Sequence, residues 1–246
     1  MRYKDRFKLW LLLFCMVYLG GCAAPKPIFR LSPTAQDTTW LFGQEYVKIS
    51  TDSLEVAIAF NRAYEGYLVF DVEIANLSDH TFLASPAEFY YIPLKSLQDS
   101  LSRTQIAAID PETRLLEIDK EMSRENAHHS SMVALDATIS VLDLVADIVS
   151  IGQGESTDEV LNDNVHRTAE RVERDQNHQF SITNLNAVRE TWELETLRKT
   201  YLKPQHQIQG QVNFPVDVYA KYIEVYLPLS DYLISFTFRQ DIHKAN

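Results

Sequence analysis

Two stretches of this chain alternate apolar and polar residues with a period of two, and a long stretch of helical pattern separates them. In the first, Leu54, Val56, Ile58 and Phe60 share one face, and Leu68, Phe70, Val72 and Ile74 share another. That alternation marks strands with one side buried. Asn61 to Gly66 is the turn between them, with Gly66 free to take positive φ, and Asn76-Leu77-Ser78-Asp79 is the next turn. Tyr46 to Ile49 opens this block, and Phe89 to Leu94, with the aromatic run Phe89, Tyr90, Tyr91, closes it. The second block alternates Ile208, Gly210, Val212 and Phe214, then Ile223, Val225 and Leu227, then Tyr232, Ile234, Phe236 and Phe238. Its short connections read as an antiparallel meander.

Three or four strands leave one apolar face bare, so the two blocks are expected to pack face to face. The sum is an α+β protein: an immunoglobulin-like antiparallel β-sandwich, residues 44–94 and 202–246, interrupted by an α-helical insertion at 95–201. Within the insertion, Asp110-Pro111-Glu112 is a helix start, with Asp as cap, Pro first and Glu at the positive end of the dipole. Leu115, Ile118 and Met122 follow at helical spacing. A second helix is expected to begin near Ser130 or Ser131 and to run through Met132–Ile151 to Gly152 and Gly154. It is apolar nearly all round except for Asp136, Ser140, Asp143 and Asp147, which line one narrow stripe. Residues 155–179 are highly charged, with Leu161, Val165 and Val172 as a thin apolar seam, and suit either a solvated helix or partial disorder. A last helix over 182–199 carries Leu185, Val188 and Trp192 on one side, with Glu195 and Lys199 as a supporting pair. A helical hairpin would bury the apolar side of Met132–Ile151.

The N-terminus reads as an address. Arg2, Lys4, Arg6 and Lys8 precede the apolar run Leu9 to Leu19, too short to span a bilayer but suited to a signal peptide over residues 1–21. At its end, Leu19-Gly20-Gly21-Cys22 resembles the lipobox of bacterial lipoproteins, which implies cleavage before Cys22 and a lipid on its thiol. Cleavage removes four basic residues and one acidic, taking the formal net charge from −11 to −14. Cys15 leaves with the signal, so no thiol is left for a disulfide. Residues 22–43, with prolines at 25, 27 and 33, read as the lipidated cysteine and a tether. By resemblance to the sorting rule of enterobacterial lipoproteins, Ala23 in place of Asp implies the outer membrane, facing the periplasm.

The acidic balance argues against nucleic acid as a partner. No metalloprotease, nucleophile-elbow, P-loop or dinucleotide motif occurs, and Gly152-Gln153-Gly154 reads as a helix stop. His128 and His129 point apart on a helix and make a poor chelate. His166 with Glu170, and His178 beyond, sit on a charged helix where such spacing is common, so no metal and no cofactor is expected. Asp136, Asp143 and Asp147 read as the solvent face of an otherwise buried helix, or as a contact for basic partner residues, or as a cation site. An exposed tyrosine of the Phe89–Tyr91 run would suit a sugar or peptide.

Leu197-Arg198-Lys199-Thr200-Tyr201-Leu202-Lys203-Pro204, then Gly210-Gln211-Val212-Asn213-Phe214-Pro215, Tyr226-Leu227-Pro228 and Phe236-Thr237-Phe238, are similar to the late strands of telokin-like, immunoglobulin-like domains in extracytoplasmic bacterial lipoproteins. Nothing catalytic comes with that resemblance. It implies a non-enzymatic envelope protein anchored through Cys22. Its insertion would then be the partner-binding part, through Asp136, Asp143, Asp147, Leu161 and Val165, toward an envelope protein or a second copy. The alternative is a small-molecule or glycan binder using the cleft between sandwich and helices. An exposed apolar patch on the helices favours the first; a closed pocket lined by aromatics favours the second.

Overall fold

The computed structural model describes residues 27–98, 104–153 and 157–243; the side chains of residues 141–167 lie outside the description. Residues 1–26, on which the expected signal peptide and lipidated Cys22 fall, lie outside it as well. Twelve strands among the described residues form antiparallel sheets. They are β1 (Ile28–Pro33), β2 (Thr38–Leu41), β3 (Gln44–Ser50), β4 (Leu54–Tyr64), β5 (Tyr67–Asn76), β6 (Phe82–Ala84), β7 (Tyr90–Leu94), β8 (Ile106–Ala107), β9 (Thr200–Leu202), β10 (Gln207–Pro215), β11 (Tyr222–Leu229) and β12 (Tyr232–His243). Two helices, α1 (Pro111–Gln153) and α2 (Thr157–Leu194), form the insertion.

One sheet has the order β10-β5-β4-β3-β2 and the other β1-β12-β11-β7-β8, with β6 and β9 as a separate pair. The molecule is therefore a β-sandwich with a helical insertion. The blocks do not each make a sheet, as the sequence suggested. β10, from the second block, pairs with β5 of the first, Val212 opposite Phe70. β7, from the first, pairs with β11, Tyr91 opposite Val225. The meander is broken between β10 and β11, which lie in different sheets. Alternation fixes which face a residue takes but leaves open which strand it pairs with, and interleaving lets both blocks cover each other's edges.

The tether is also shorter than residues 22–43. Ile28–Pro33 is β1, paired along its length with β12, and Thr38–Leu41 is β2, paired with β3. Leu31 is buried in the core. The prolines that suggested a spacer sit where a strand tolerates them: Pro27 precedes β1, and Pro33 ends it on an edge of its sheet.

Between the sheets lies one dry layer of side chains. Phe70 is fully buried at its centre, with Phe238 of the facing sheet at 5.1 Å between ring centroids, Phe60 at 5.7 Å and Phe214 at 5.9 Å, all edge-on. The buried Tyr91 hydroxyl crosses the layer to donate to the Pro215 carbonyl at 2.8 Å, and burial pushes its pKa upward. Buried Asn76 holds the predicted turn: its amide donates to the carbonyls of His80 (2.7 Å) and Leu202 (2.9 Å), and its oxygen accepts from the Ser78 N–H at 3.0 Å.

The insertion is stitched to β10 at both ends. The Ile109 N–H donates to Asn213 O at 2.8 Å, the Gln211 N–H to Glu195 O at 2.7 Å, and the Leu197 N–H to Gln211 O at 2.9 Å. This close approach requires Gly210, where an added Cβ would sit 2.6 Å from the Leu197 nitrogen. Asp110 caps α1 as expected, accepting from the Glu112 N–H at 3.1 Å and the Thr113 hydroxyl at 2.7 Å. The helices are longer than the sequence suggested. α1 runs unbroken through Ser130 and Ser131, and α2 takes in both the charged stretch and the next helix, ending at Leu194. Glu195 and Lys199 thus lie beyond it. Arg198 instead bonds Glu112 through Nε (2.8 Å) and its terminal nitrogen (2.6 Å), which holds the Glu112 carboxyl below its usual range.

Candidate functional site

The helices pair antiparallel, and their seam changes character along its length. On α1, the more buried positions recur every three or four residues from Leu115 to Ser140, and on α2 they do so from Arg171 to Trp192. Next to the sandwich the seam is apolar: Leu115, Ile118 and Trp192 are buried, with Met122, Leu185 and Val188 packed on them. Farther out the same periodicity carries polar groups. The imidazoles of His129 and His178 stack at 3.9 Å and 12°. His129 Nε2 lies 3.0 Å from Asp175 Oδ1, and His178 Nδ1 lies 3.5 Å from Glu125 Oε1. Beyond them Arg174 bonds Asp136, while Arg171 donates to Ser140 Oγ at 2.7 Å and reaches Asp136 at 3.8 Å.

For Asp136 and Ser140 this reverses the expected orientation. Asp136 does not form a solvent face; it points into the seam and is held by the chain's own arginines. Val133, Leu135 and Ile139 of α1 face outward instead, as do Val172 and Phe180 of α2, with Leu135 51% and Phe180 68% exposed. Once Met132, Asp136 and Ser140 take the seam, the residues flanking them must turn away. Val172, which shares the expected apolar line with Leu161 and Val165, is half exposed. The helices run through Asp143, Asp147, Leu161 and Val165, but those side chains lie outside the described residues. So does that of His166, while His128 is exposed. The sequence paired His129 with His128; the fold pairs it with His178, a partner that only the hairpin register supplies. Among the described residues, no cluster of three or more His, Cys, Asp or Glu is arranged to hold a metal ion, and no helix is long and apolar enough to cross a membrane.

A second feature lies where α2 meets the sheet. A cleft of about 510 Å³ is lined by Arg62, Tyr64, Tyr67, Val69, Gln211 and Asn213 of the sheet, Glu65 of the β4–β5 turn, and Arg114, Val188 and Trp192 of the helices. Trp192 meets Tyr67 edge-on at 6.5 Å. The sequence placed Trp192 on the helix face that became the seam, but gave no sign that Arg62, Tyr67 or Asn213 would join it. In the aromatic run, Phe89 and Tyr91 are core. Tyr90 stacks on Tyr226 at 5.0 Å, whose phenol is pushed up to about 12, first by burial and then by Glu224. The Tyr226 phenol is thus held further from proton transfer near neutral pH.

No protein-family model, curated protein or solved structure matches this chain.

Proposed function

We propose that this chain is a lipid-anchored envelope protein, held through Cys22 on the periplasmic side of the outer membrane, that works as a non-catalytic interaction module with its helical hairpin as the contact surface. The outward-facing aliphatic and aromatic side chains carry this reading. Val133, Leu135, Ile139, Val172 and Phe180 leave their apolar area in water while ion pairs occupy the seam. Area of that kind, on a helical projection that the sandwich does not need for its own closure, favours a protein partner. The test is a photo-crosslinking residue at Val172 or Phe180 in the native lipidated protein, followed by mass spectrometry. One abundant envelope protein, lost on Leu135→Asp substitution, supports the reading; a folded, membrane-bound protein that gives no crosslink overturns it.

The cleft at Trp192 supports a second reading, a small-molecule or glycan binder. Aromatic walls beside two guanidinium groups are the chemistry for an acidic sugar or a carboxylate with an apolar body. Glucuronate and benzoate titrated against the fluorescence of the intact protein test it, with loss of the response in Arg114→Gln expected and a flat titration counting against it.

A further inference from the structure

The turn joining β2 to β3 puts its apolar residues into water. Phe42 and Gly43 both have positive φ, 51° and 83°, so a bulky residue occupies a left-handed position where Gly or Asn is usual. Phe42 is fully exposed, and neighbouring Trp40 and Leu41 are 62% and 49% exposed. None of the three adds to the core, and Phe42 adds backbone strain as well.

Register places other groups beside this turn. β3, β4 and β5 are consecutive antiparallel neighbours, so the β4–β5 turn lies at the same end of the sheet, and Tyr64, the last residue of β4, is exposed beside it. The beginning of the described chain is there too. Pro27 and Ile28 line one groove together with Trp40, Gly43 and Gln44, and Ile28 is itself exposed. Cys22 stands six residues before Ile28, a span of about 20 Å when fully extended. A lipid on Cys22 therefore holds this end of the sandwich at the bilayer surface. Arg30 and Arg62 line the same groove, along with Glu45. The acidic net charge of the whole chain gives no general attraction to anionic lipid, so a membrane contact here has to be made by side chains that prefer the interface. Tryptophan and tyrosine are those side chains, with Phe and Leu reaching deeper.

We propose that the Trp40-Leu41-Phe42 turn inserts into the headgroup region of the bilayer that carries the anchor, giving the sandwich a second membrane contact and a fixed orientation. This rests on the reading of Cys22 as lipidated. The test uses the full-length protein, processed by its own leader and reconstituted into phosphatidylcholine–phosphatidylethanolamine vesicles with or without brominated acyl chains. Trp10 leaves with the leader, so Trp40 and Trp192 are the remaining indoles, and Trp40→Phe separates their signals without disturbing the hairpin base. At least a twofold quenching of the Trp40 emission, taken as the difference between wild type and Trp40→Phe, is expected with brominated lipid, and no quenching of the Trp192 emission that remains in Trp40→Phe. Phe42→Asp is expected to lose most of the quenching while still floating with the vesicles. Protein that floats with acyl chains on Cys22 but is not quenched overturns the proposal and leaves the anchor standing, as does quenching that persists in Trp40→Phe. An intact mass without acyl chains, with no flotation, overturns the anchor and the proposal with it.

Discussion

The sandwich and the hairpin solve the same burial problem in opposite ways. In the sandwich, every strand but β2 sends apolar side chains into one layer around Phe70. Among the described side chains of the hairpin, the seam is apolar beside the sandwich, then turns mostly to histidines, arginines and carboxylates while Leu135 and Phe180 face outward. The sandwich is therefore held by area removed from water and the outer hairpin by ion pairs of modest net worth. A region built the second way has apolar area left over for another molecule.

The largest effect that tests this contrast is in the core. Phe70→Ala leaves a cavity among three other rings and is expected to cost about 3–5 kcal/mol in urea denaturation. Ile118→Ala, in the buried part of the seam, is expected to cost about 2–4 kcal/mol. Amide exchange should then rise in both helices while the strands stay protected; equal loss in the strands would show that the two regions unfold as one. Gly210→Ala forces the Leu197 backbone away from β10 and should cost about 1–3 kcal/mol, measured the same way. Asp136→Ala is expected to cost less than about 1 kcal/mol, because its arginine partners are 36% and 40% exposed and can turn to water. If it instead matches Ile118→Ala, the seam's ion pairs matter as much as its apolar base, and the contrast fails.

The smallest expected effect is a pH dependence at the foot of α1. Arg198 holds the Glu112 carboxyl below its ordinary value of 4.5. The pair's contribution is therefore complete above that pH and is lost as pH falls through the lower folded value. Both side chains are over a third exposed, which limits the effect to a few tenths of a kcal/mol. Acid titration of wild type against Glu112→Gln should show the two curves converging as pH falls.

Faces were legible in the sequence; neighbours were not. Leu54, Val56 and Ile58, then Leu68, Phe70, Val72 and Ile74, are buried where period two put them, and so are Ile223, Val225, Leu227, Ile234, Phe236 and Phe238. Nothing in that alternation carried the exchange of β7 and β10 between sheets, because strand pairing joins residues far apart in the chain. The helix start at Asp110 was legible because a cap is local chemistry. The outward turn of Leu135 was not, because the hydrophobic pattern of α1 alone puts the four polar residues on the wet side. Only the arginines of α2, placed opposite by the hairpin register, turn Asp136 and Ser140 inward. The cleft at Trp192 combines four separate parts of the chain and left no local trace.

β1 pairs with β12, Ile28 opposite His243. The first strand described thus waits for the last, and the β1 edge of the β1-β12-β11-β7-β8 sheet forms only once β12 is in place. Contacts of such long sequence separation slow folding. During synthesis β2, β3, β4 and β5 meet their sequence neighbours early, whereas β1 waits for β12. A chain cut short before β12 would keep all of its helices and most of its strands and still have no way to shut.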